Sequence, residues 1–199
     1  MPIYRHYFLL LLLLAGCATI MPPTSQPPTT SSINQKHLDT LVNIKAFALK
    51  GRLGAVTQKK GFSGGIDWQH QTITDNIDVF SPVGGKVANI TKNPSGVTLT
   101  SQNGHSVSAQ DAESLTETTL GFRLPLTGLS SWAIGRPSAS KIEAANWDET
   151  GRLTKLKQDG WDISYENYAD IDGISLPKRI LLKSEKVNLK LLVERWGLP

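Results

Sequence analysis

The chain has 199 residues, of which 39% are hydrophobic and 19% charged, with a formal net charge of +4 and a single cysteine. One cysteine excludes an internal disulfide framework. The basic excess is spread over pairs such as Lys59-Lys60 and Lys178-Arg179 with no longer run, which argues against nucleic acid and suits anionic head groups or an acidic protein partner.

The first element is a short leucine-rich segment. Arg5 and His6 precede an unbroken apolar stretch, Tyr7 to Leu14, and the small residues Ala15 and Gly16 precede Cys17. This is the charged, apolar, small-residue order of a secretory signal. Eight apolar residues are too few to cross a hydrocarbon core, which takes about 20 helical residues. Leu14-Ala15-Gly16-Cys17 resembles the lipobox of bacterial lipoprotein signal peptides. The resemblance implies cleavage after residue 16 and acylation of Cys17; the alternative is an ordinary cleaved signal with an incidental cysteine. One acyl chain binds a membrane only marginally, whereas several anchor it stably. Ala18 stands where an aspartate would imply retention at the inner membrane, so the resemblance points to the outer membrane. Residues 18–32 carry Pro22, Pro23, Pro27 and Pro28 among Ser and Thr, the composition of an extended tether reaching up to roughly 45 Å. The chain is therefore read as a lipoprotein signal peptide (1–16), a lipidated tether (17–32) and one domain (33–199), since about 165 residues suffice for a single sizeable core.

The domain opens with an expected helix, Ile33 to Asn43, with Ser32 and Gln35 at capping-box spacing and Leu38, Leu41 and Val42 on its apolar face. The period then changes to two. Phe47, Leu49, Gly51 and Leu53 share one side of a first strand. Ile66 and Trp68, Ile77 and Val79, and Val97 and Leu99 each alternate with polar neighbours, so the sheet has one apolar and one wet face. Asn93-Pro94-Ser95-Gly96 and Asn103-Gly104 mark turns. Ser108 is placed as the cap of a helix running to Leu120 and ended by Gly121. Leu124-Pro125-Leu126 leads into a third helix carrying Leu126, Leu129, Trp132 and Ala133, stopped by Gly135 and Pro137. Strands resume with Trp161, Ile163 and Tyr165, and end with Val187, Leu189, Leu191 and Val193. About ten short strands joined by short turns make an antiparallel meander whose apolar face the three helices must cover. A sheet this long curls or closes. Periodicity alone leaves a filled core and a large apolar cavity equally open.

At this point the residues resemble the LolB family of outer-membrane lipoprotein receptors over essentially the whole mature chain from about Ala46. The carriers are Gly51-Arg52-Leu53, Gly61-Phe62-Ser63 with Trp68, Ser81-Pro82-Val83-Gly84, Gly96-Val97-Thr98-Leu99 and Asp111-Ala112. After them come Leu124-Pro125-Leu126, Gly128-Leu129, Trp132, Gly135, Pro137, Gln158-Asp159-Gly160-Trp161, Leu176-Pro177 and Trp196. The resemblance implies a mainly β, α+β fold: an open, strongly curved antiparallel half-barrel of about eleven strands, covered by three helices around an apolar cavity. It implies a non-enzymatic monomer, lipid-anchored at Cys17 on the periplasmic face of the outer membrane. Such a protein takes lipidated cargo from the periplasmic carrier LolA and places the acyl chains in outer-membrane phospholipid, without cofactor, metal or nucleic acid. A lipid-anchored envelope protein that binds free lipid or another apolar ligand is the alternative.

Two groups of residues are candidates for that work. Pro82, Val83 and Gly84 lie in a turn composition between strands, and the family places a protruding apolar residue there, usually Leu, that delivers lipid. On the residues alone, Val83 reads equally as a buried turn valine or an isolated surface apolar. Ile66, Trp68, Ile77, Val79, Leu99, Trp161, Ile163 and Leu189 from strands, with Leu115, Leu129 and Trp132 from helices, are candidates to line an acyl-chain cavity; on the residues alone, plain core is the better reading of any one of them. Arg136 departs from the family, which more often has Leu there. Gly61-Phe62-Ser63-Gly64-Gly65 fits the Gly-x-Ser-x-Gly pattern, but a nucleophile elbow needs a strand-to-helix turn and a strand pattern follows. His37, His70 and His105 show no spacing for a triad or a zinc site. No phosphate loop is present, since Gly84-Gly85-Lys86 lacks the spacing. Asn89-Ile90-Thr91 has the form of a glycosylation acceptor but reads as strand.

Overall fold

The computed structural model describes residues 31–199 apart from 121–122 and 124–125. The lipobox, Cys17, the tether prolines, Gly121 and Leu124-Pro125 lie outside the described residues.

Eleven strands form one antiparallel sheet: β1 (Ala46–Thr57), β2 (Gly61–Gln71), β3 (Thr74–Phe80), β4 (Lys86–Asn93), β5 (Gly96–Ser101), β6 (Ser106–Ala109), β7 (Ile142–Trp147), β8 (Leu153–Gln158), β9 (Trp161–Ile171), β10 (Ile174–Lys183) and β11 (Val187–Gly197). The helices are α1 (Ser32–Val42) before the sheet, and α2 (Ala112–Leu120) and α3 (Leu126–Ala133) between β6 and β7. The sheet order is β6-β5-β4-β3-β2-β1-β11-β10-β9-β8-β7. Two meanders are thus stitched at the middle by β1 and β11, and the two edges are neighbours in sequence. Turn chemistry supports several of the hairpins: Gly96, Gly104, Gly160 and Gly173 take positive φ, which costs glycine little. Gly51 sits at a register shift in the β1–β11 ladder, and a Cβ there would run into the Leu192 carbonyl oxygen.

One face is apolar, as the alternation predicts. Leu49, Trp68, Leu156, Ile163, Leu176, Ile180 and Val193 are all at most 2% exposed. Phe47 packs its ring edge-on against Trp68 and Trp196, at centroid distances of 5.2 and 5.4 Å. Among the described residues the core runs from Leu41 to Leu198.

The helices close over this face at different places. Ser31, not Ser32, caps α1, its Oγ accepting from the Asn34 N–H. The helix buries Leu41 as expected, half-buries Leu38 and also turns Asn34 inward; of the expected apolar face only Val42 is exposed. Ser108 does not cap a helix. It lies in β6, its Oγ paired with Thr98 Oγ1 at 2.8 Å. Asp111 caps α2 instead, accepting from the Ser114 N–H at 2.7 Å and the Ser114 hydroxyl at 3.0 Å. A carboxylate accepts the free first-turn N–H groups as well as a serine does and adds charge complementarity to the dipole. The end of α3 is a Schellman motif: Arg136 N–H donates to the Ser131 carbonyl, Gly135 N–H donates to Trp132, and Gly135 has φ +80°. Arg136 then reaches back, Nη1 donating to the Leu41 carbonyl at the end of α1 (3.4 Å) and Nη2 to Ser131 Oγ (3.3 Å). The departure from the family's Leu thus joins two helix ends.

The position of α2 implies that the sheet curls. It packs against β5 and β6, yet Glu117 pairs with Lys186 in the β10–β11 turn at 3.7 Å. Five strand spacings of about 4.8 Å separate β5 from β11 in a flat sheet, whereas a nine-residue helix is only about 13 Å long.

Candidate functional site: a protruding loop and an apolar face under helices

The loop between β3 and β4 forms from its own residues. Gly84 N–H donates to the Ser81 carbonyl at 3.0 Å and Ser81 N–H to the Gly85 carbonyl at 2.7 Å. Gly84 has φ +93°, and Gly85 N–H is held by Ser81 Oγ at 3.2 Å. This is a three-residue hairpin loop, Pro82-Val83-Gly84, with Pro pre-setting the first corner and Gly supplying the left-handed residue. These hydrogen bonds close the loop through Ser81, Gly84 and Gly85, and none of them involves Val83. Val83 is 95% exposed, far more than any other large hydrophobic residue among those described.

The cavity candidates fall together on the apolar face. Ile66, Trp68, Ile77, Leu115, Trp132, Trp161, Ile163 and Leu189 are buried in one cluster, and Val79, Leu99 and Leu129 pack against it partly buried. A cleft of about 430 Å³ opens where α2, α3 and the β8–β9 turn meet. Trp161 and Gly128 stand in its wall and Glu113, Arg123, Ser138, Ser140 and Asp159 around it; of the candidates only Trp161 reaches it. Gly61-Phe62-Ser63-Gly64-Gly65 lies inside β2, with Ser63 opposite Gly54, so it makes no strand-to-helix turn. No described helix is long and apolar enough to cross a membrane.

Two buried polar side chains, Gln158 and Asp75, were not among the site candidates. Gln158 is fully buried at the end of β8. Its Oε1 accepts from Trp132 Nε1 and from the Ser138 N–H, each at 2.9 Å. Its Nε2 donates to the Ser140 carbonyl at 2.7 Å and the Ser138 carbonyl at 3.3 Å. One amide thereby fixes α3 and the segment following it to the sheet. Asp75 is 3% exposed at the start of β3. Its Oδ1 lies 2.8 Å from Trp68 Nε1 and 2.7 Å from His70 Nδ1, and its Oδ2 lies 3.3 Å from Lys92 Nζ. Parity was the available signal: Asp75 shares a side with Ile77 and Val79, His70 with Ile66 and Trp68, and Lys92 with Ile90.

These contacts set a pH dependence. Burial alone would raise the Asp75 carboxyl, but hydrogen bonds from His70 and Trp68 and the charges of His70 and Lys92 outweigh it and hold it below the ordinary range. Burial also opposes ionisation of Asp148, in the β7–β8 turn, yet hydrogen bonds from Arg152 and Thr150 bring it to about 2. Both folded values lie below the unfolded one, so the unfolded chain binds protons more readily. The stabilisation is complete above the unfolded value of about 4 and drains away as pH falls toward the folded values. The urea midpoint should therefore drop on acidification from pH 5 toward pH 2, and the drop should shrink in Asp148→Asn. A midpoint that ignores acid would contradict both placements.

A family model described as outer membrane lipoprotein LolB matches residues 45–196. An outer-membrane lipoprotein LolB from Nitrosomonas europaea is 38% identical over 152 residues, covering 75% of this chain and 72% of the relative. One from Thiobacillus denitrificans is 33% identical over 151 residues, covering 76% and 80%. Among solved structures, a LolA superfamily protein from Nitrosomonas europaea superposes with a TM-score of 0.51 at 12% identity, covering 86% of this chain and 94% of that one. At that identity the likeness speaks to the fold alone.

Proposed function

The chain belongs to the LolB family of outer-membrane lipoproteins, and from that premise we propose that it is the membrane-anchored acceptor of lipidated proteins, working by handover of acyl chains from one apolar interior to another. In this reading residues 1–16 are removed, acylated Cys17 anchors the chain to the outer membrane, and the following residues tether the body on the periplasmic side. The observation that carries the reading is a hydrophobic side chain held almost fully in solvent by a loop whose closing hydrogen bonds do not involve it, on a chain of this family.

The physical need is clear. Each acyl CH₂ exposed to water costs about 0.8 kcal/mol, so several long chains cannot leave a carrier through solvent at a useful rate. They must pass directly into another apolar interior. The cleft beside Trp161 is the proposed entrance, since it lies where helices rather than strands cover the apolar face. Helices held by side chains can part without breaking a ladder of backbone hydrogen bonds. No nucleotide is needed if the acceptor holds the chains more favourably than the donor. Val83 then leads the cargo into lipid, a tip smaller than the family's usual Leu but of the same chemistry.

The test is transfer from a soluble carrier. The non-acylated chain, with Cys17→Ala and the signal segment removed, is mixed with a LolA-type carrier loaded with lipoprotein, and the cargo is followed by co-purification. Cargo is expected to move to this chain without nucleotide, because Cys17 positions the body and takes no part in acceptance. Failure of a folded Cys17→Ala chain to take cargo would refute that division of labour. Failure combined with uptake of an apolar fluorophore would favour a binding protein for free lipid.

A further inference from the structure

We propose that Lys59, Lys60 and Lys183 form a rim that reads anionic phospholipid head groups and brings the Val83 loop against the bilayer; this rests on the membrane-delivery reading above. The ladder puts these residues at one end of the sheet. Thr57 pairs with Val187, so the β1–β2 turn (58–60) lies beside the β10–β11 turn (184–186). Val56, Lys183 and Lys186 line a shallow cleft of about 230 Å³ between those turns. On the other side, β2 overshoots β3. Gly65 pairs with Phe80, which leaves Gly61 to Gly64 alongside the 81–85 loop. Gly64 permits this approach, since a Cβ there would run into the Phe80 carbonyl oxygen.

The charges on this end are unevenly used. Lys86 pairs with Asp78 at 2.8 Å and Lys186 with Glu117 at 3.7 Å. Lys59, Lys60 and Lys183 are exposed, and no described carboxylate stands within ion-pair distance of them. Glu185 and Asp159 are the acidic residues in turns at this end, while the turns at the other end carry Asp148, Glu149 and Asp172. The same rim presents two exposed apolar side chains, Val83 and Val56, the latter 56% exposed. An apolar tip flanked by cations on long apolar stems suits an interface between head groups and acyl chains, where the stems bury and the ammonium groups stay with phosphate. An acidic protein surface would use the cations but not the projecting valine. A lipid surface uses both.

Vesicle co-sedimentation of the non-acylated chain tests this, using phosphatidylcholine alone and phosphatidylcholine mixed with phosphatidylglycerol. The chain is expected to prefer the anionic vesicles and to lose the preference in high salt. A lysine near an anionic surface multiplies binding by about fivefold, so Lys59→Gln, Lys60→Gln and Lys183→Gln together should weaken binding to anionic vesicles on the order of a hundredfold at low salt. The weak binding to neutral vesicles should not change, and Val83→Ser should weaken both. All three lysines are exposed turn or strand-end side chains, so the triple variant should melt with the parent. Equal binding by the triple variant, or no preference by the parent, overturns the proposal. So does a triple variant that keeps anionic vesicles but no longer captures the loaded carrier, which would assign the lysines to a protein partner. Handover in solution separates the two readings: the triple variant should accept cargo normally, and a parent that accepts none fails as a receptor whatever its vesicle binding.

Discussion

Val83→Glu should leave the protein folded and able to take cargo from a carrier, yet reduce incorporation of that cargo into liposomes by about tenfold. The side chain is 95% exposed and the loop is closed by Ser81, Gly84 and Gly85. Stability should therefore stay within about 0.5 kcal/mol of the parent, as for other surface substitutions. The penalty appears on contact with lipid. A carboxylate costs about 2.5–3.5 kcal/mol at the centre of a membrane on insertion scales. A loop tip reaches only the interface, where roughly half of that acts, and about 1.4 kcal/mol is a factor of ten. Cargo should accumulate on the variant, and Val83→Leu should deliver at least as well as the parent. Incorporation at the parent's rate by Val83→Glu would remove the loop from the mechanism.

The second large effect is on stability. Gln158→Leu should lower Tm by roughly 10 °C. Leucine approximates the volume but supplies no polar atom, leaving the Trp132 indole N–H, the Ser138 N–H and carbonyl, and the Ser140 carbonyl without their partner. An orphaned buried polar group costs about 1–3 kcal/mol. Allowing water to reach some of the four leaves a loss of about 3 kcal/mol, and 1 kcal/mol moves Tm by about 2–4 °C at this chain length. The damage should be local first, with faster hydrogen exchange in α3 and residues 134–141 than in β1, β10 and β11. A variant that melts with the parent would show that Gln158 does not hold α3 to the sheet.

Much of this architecture was legible because a half-buried antiparallel sheet writes its period directly into sequence. Phe47, Leu49, Gly51 and Leu53 share a side as expected, as do Trp161, Ile163 and Tyr165. The one-faced meander required covering helices, and α1, α2 and α3 supply them. Helix starts were harder, because Ser, Asp and Thr occur at several adjacent positions and all accept first-turn N–H groups. Ser31 took the place expected of Ser32, and Asp111 the place expected of Ser108, whose parity with Thr98 across β5–β6 follows only from pairing. The polar residues of the apolar face were missed for a different reason. Asp75, His70 and Gln158 share parity with apolar neighbours, but hydropathy gives no signal that polar side chains at such positions are buried. Such residues are hidden from hydropathy because their partners come from other strands and helices, at distances along the chain that no local pattern reports. Val83 is the converse case. Turn composition located its loop, but exposure depends on whether neighbouring elements fold over it, and only the assembled sheet shows that none does.

The two edges of the sheet bear on how such a protein avoids its own kind. An open sheet presents unpaired N–H and C=O groups along each edge, a template on which another chain can add as a strand. Here one edge, β6, is four residues long, and the other, β7, is broken by two register shifts against β8. Neither offers the long, flat row that strand addition requires. Closing the barrel would also have abolished the edges, but with a fixed circumference. Short and bulged margins instead leave the sheet open while guarding it against fibre-like assembly with neighbouring copies.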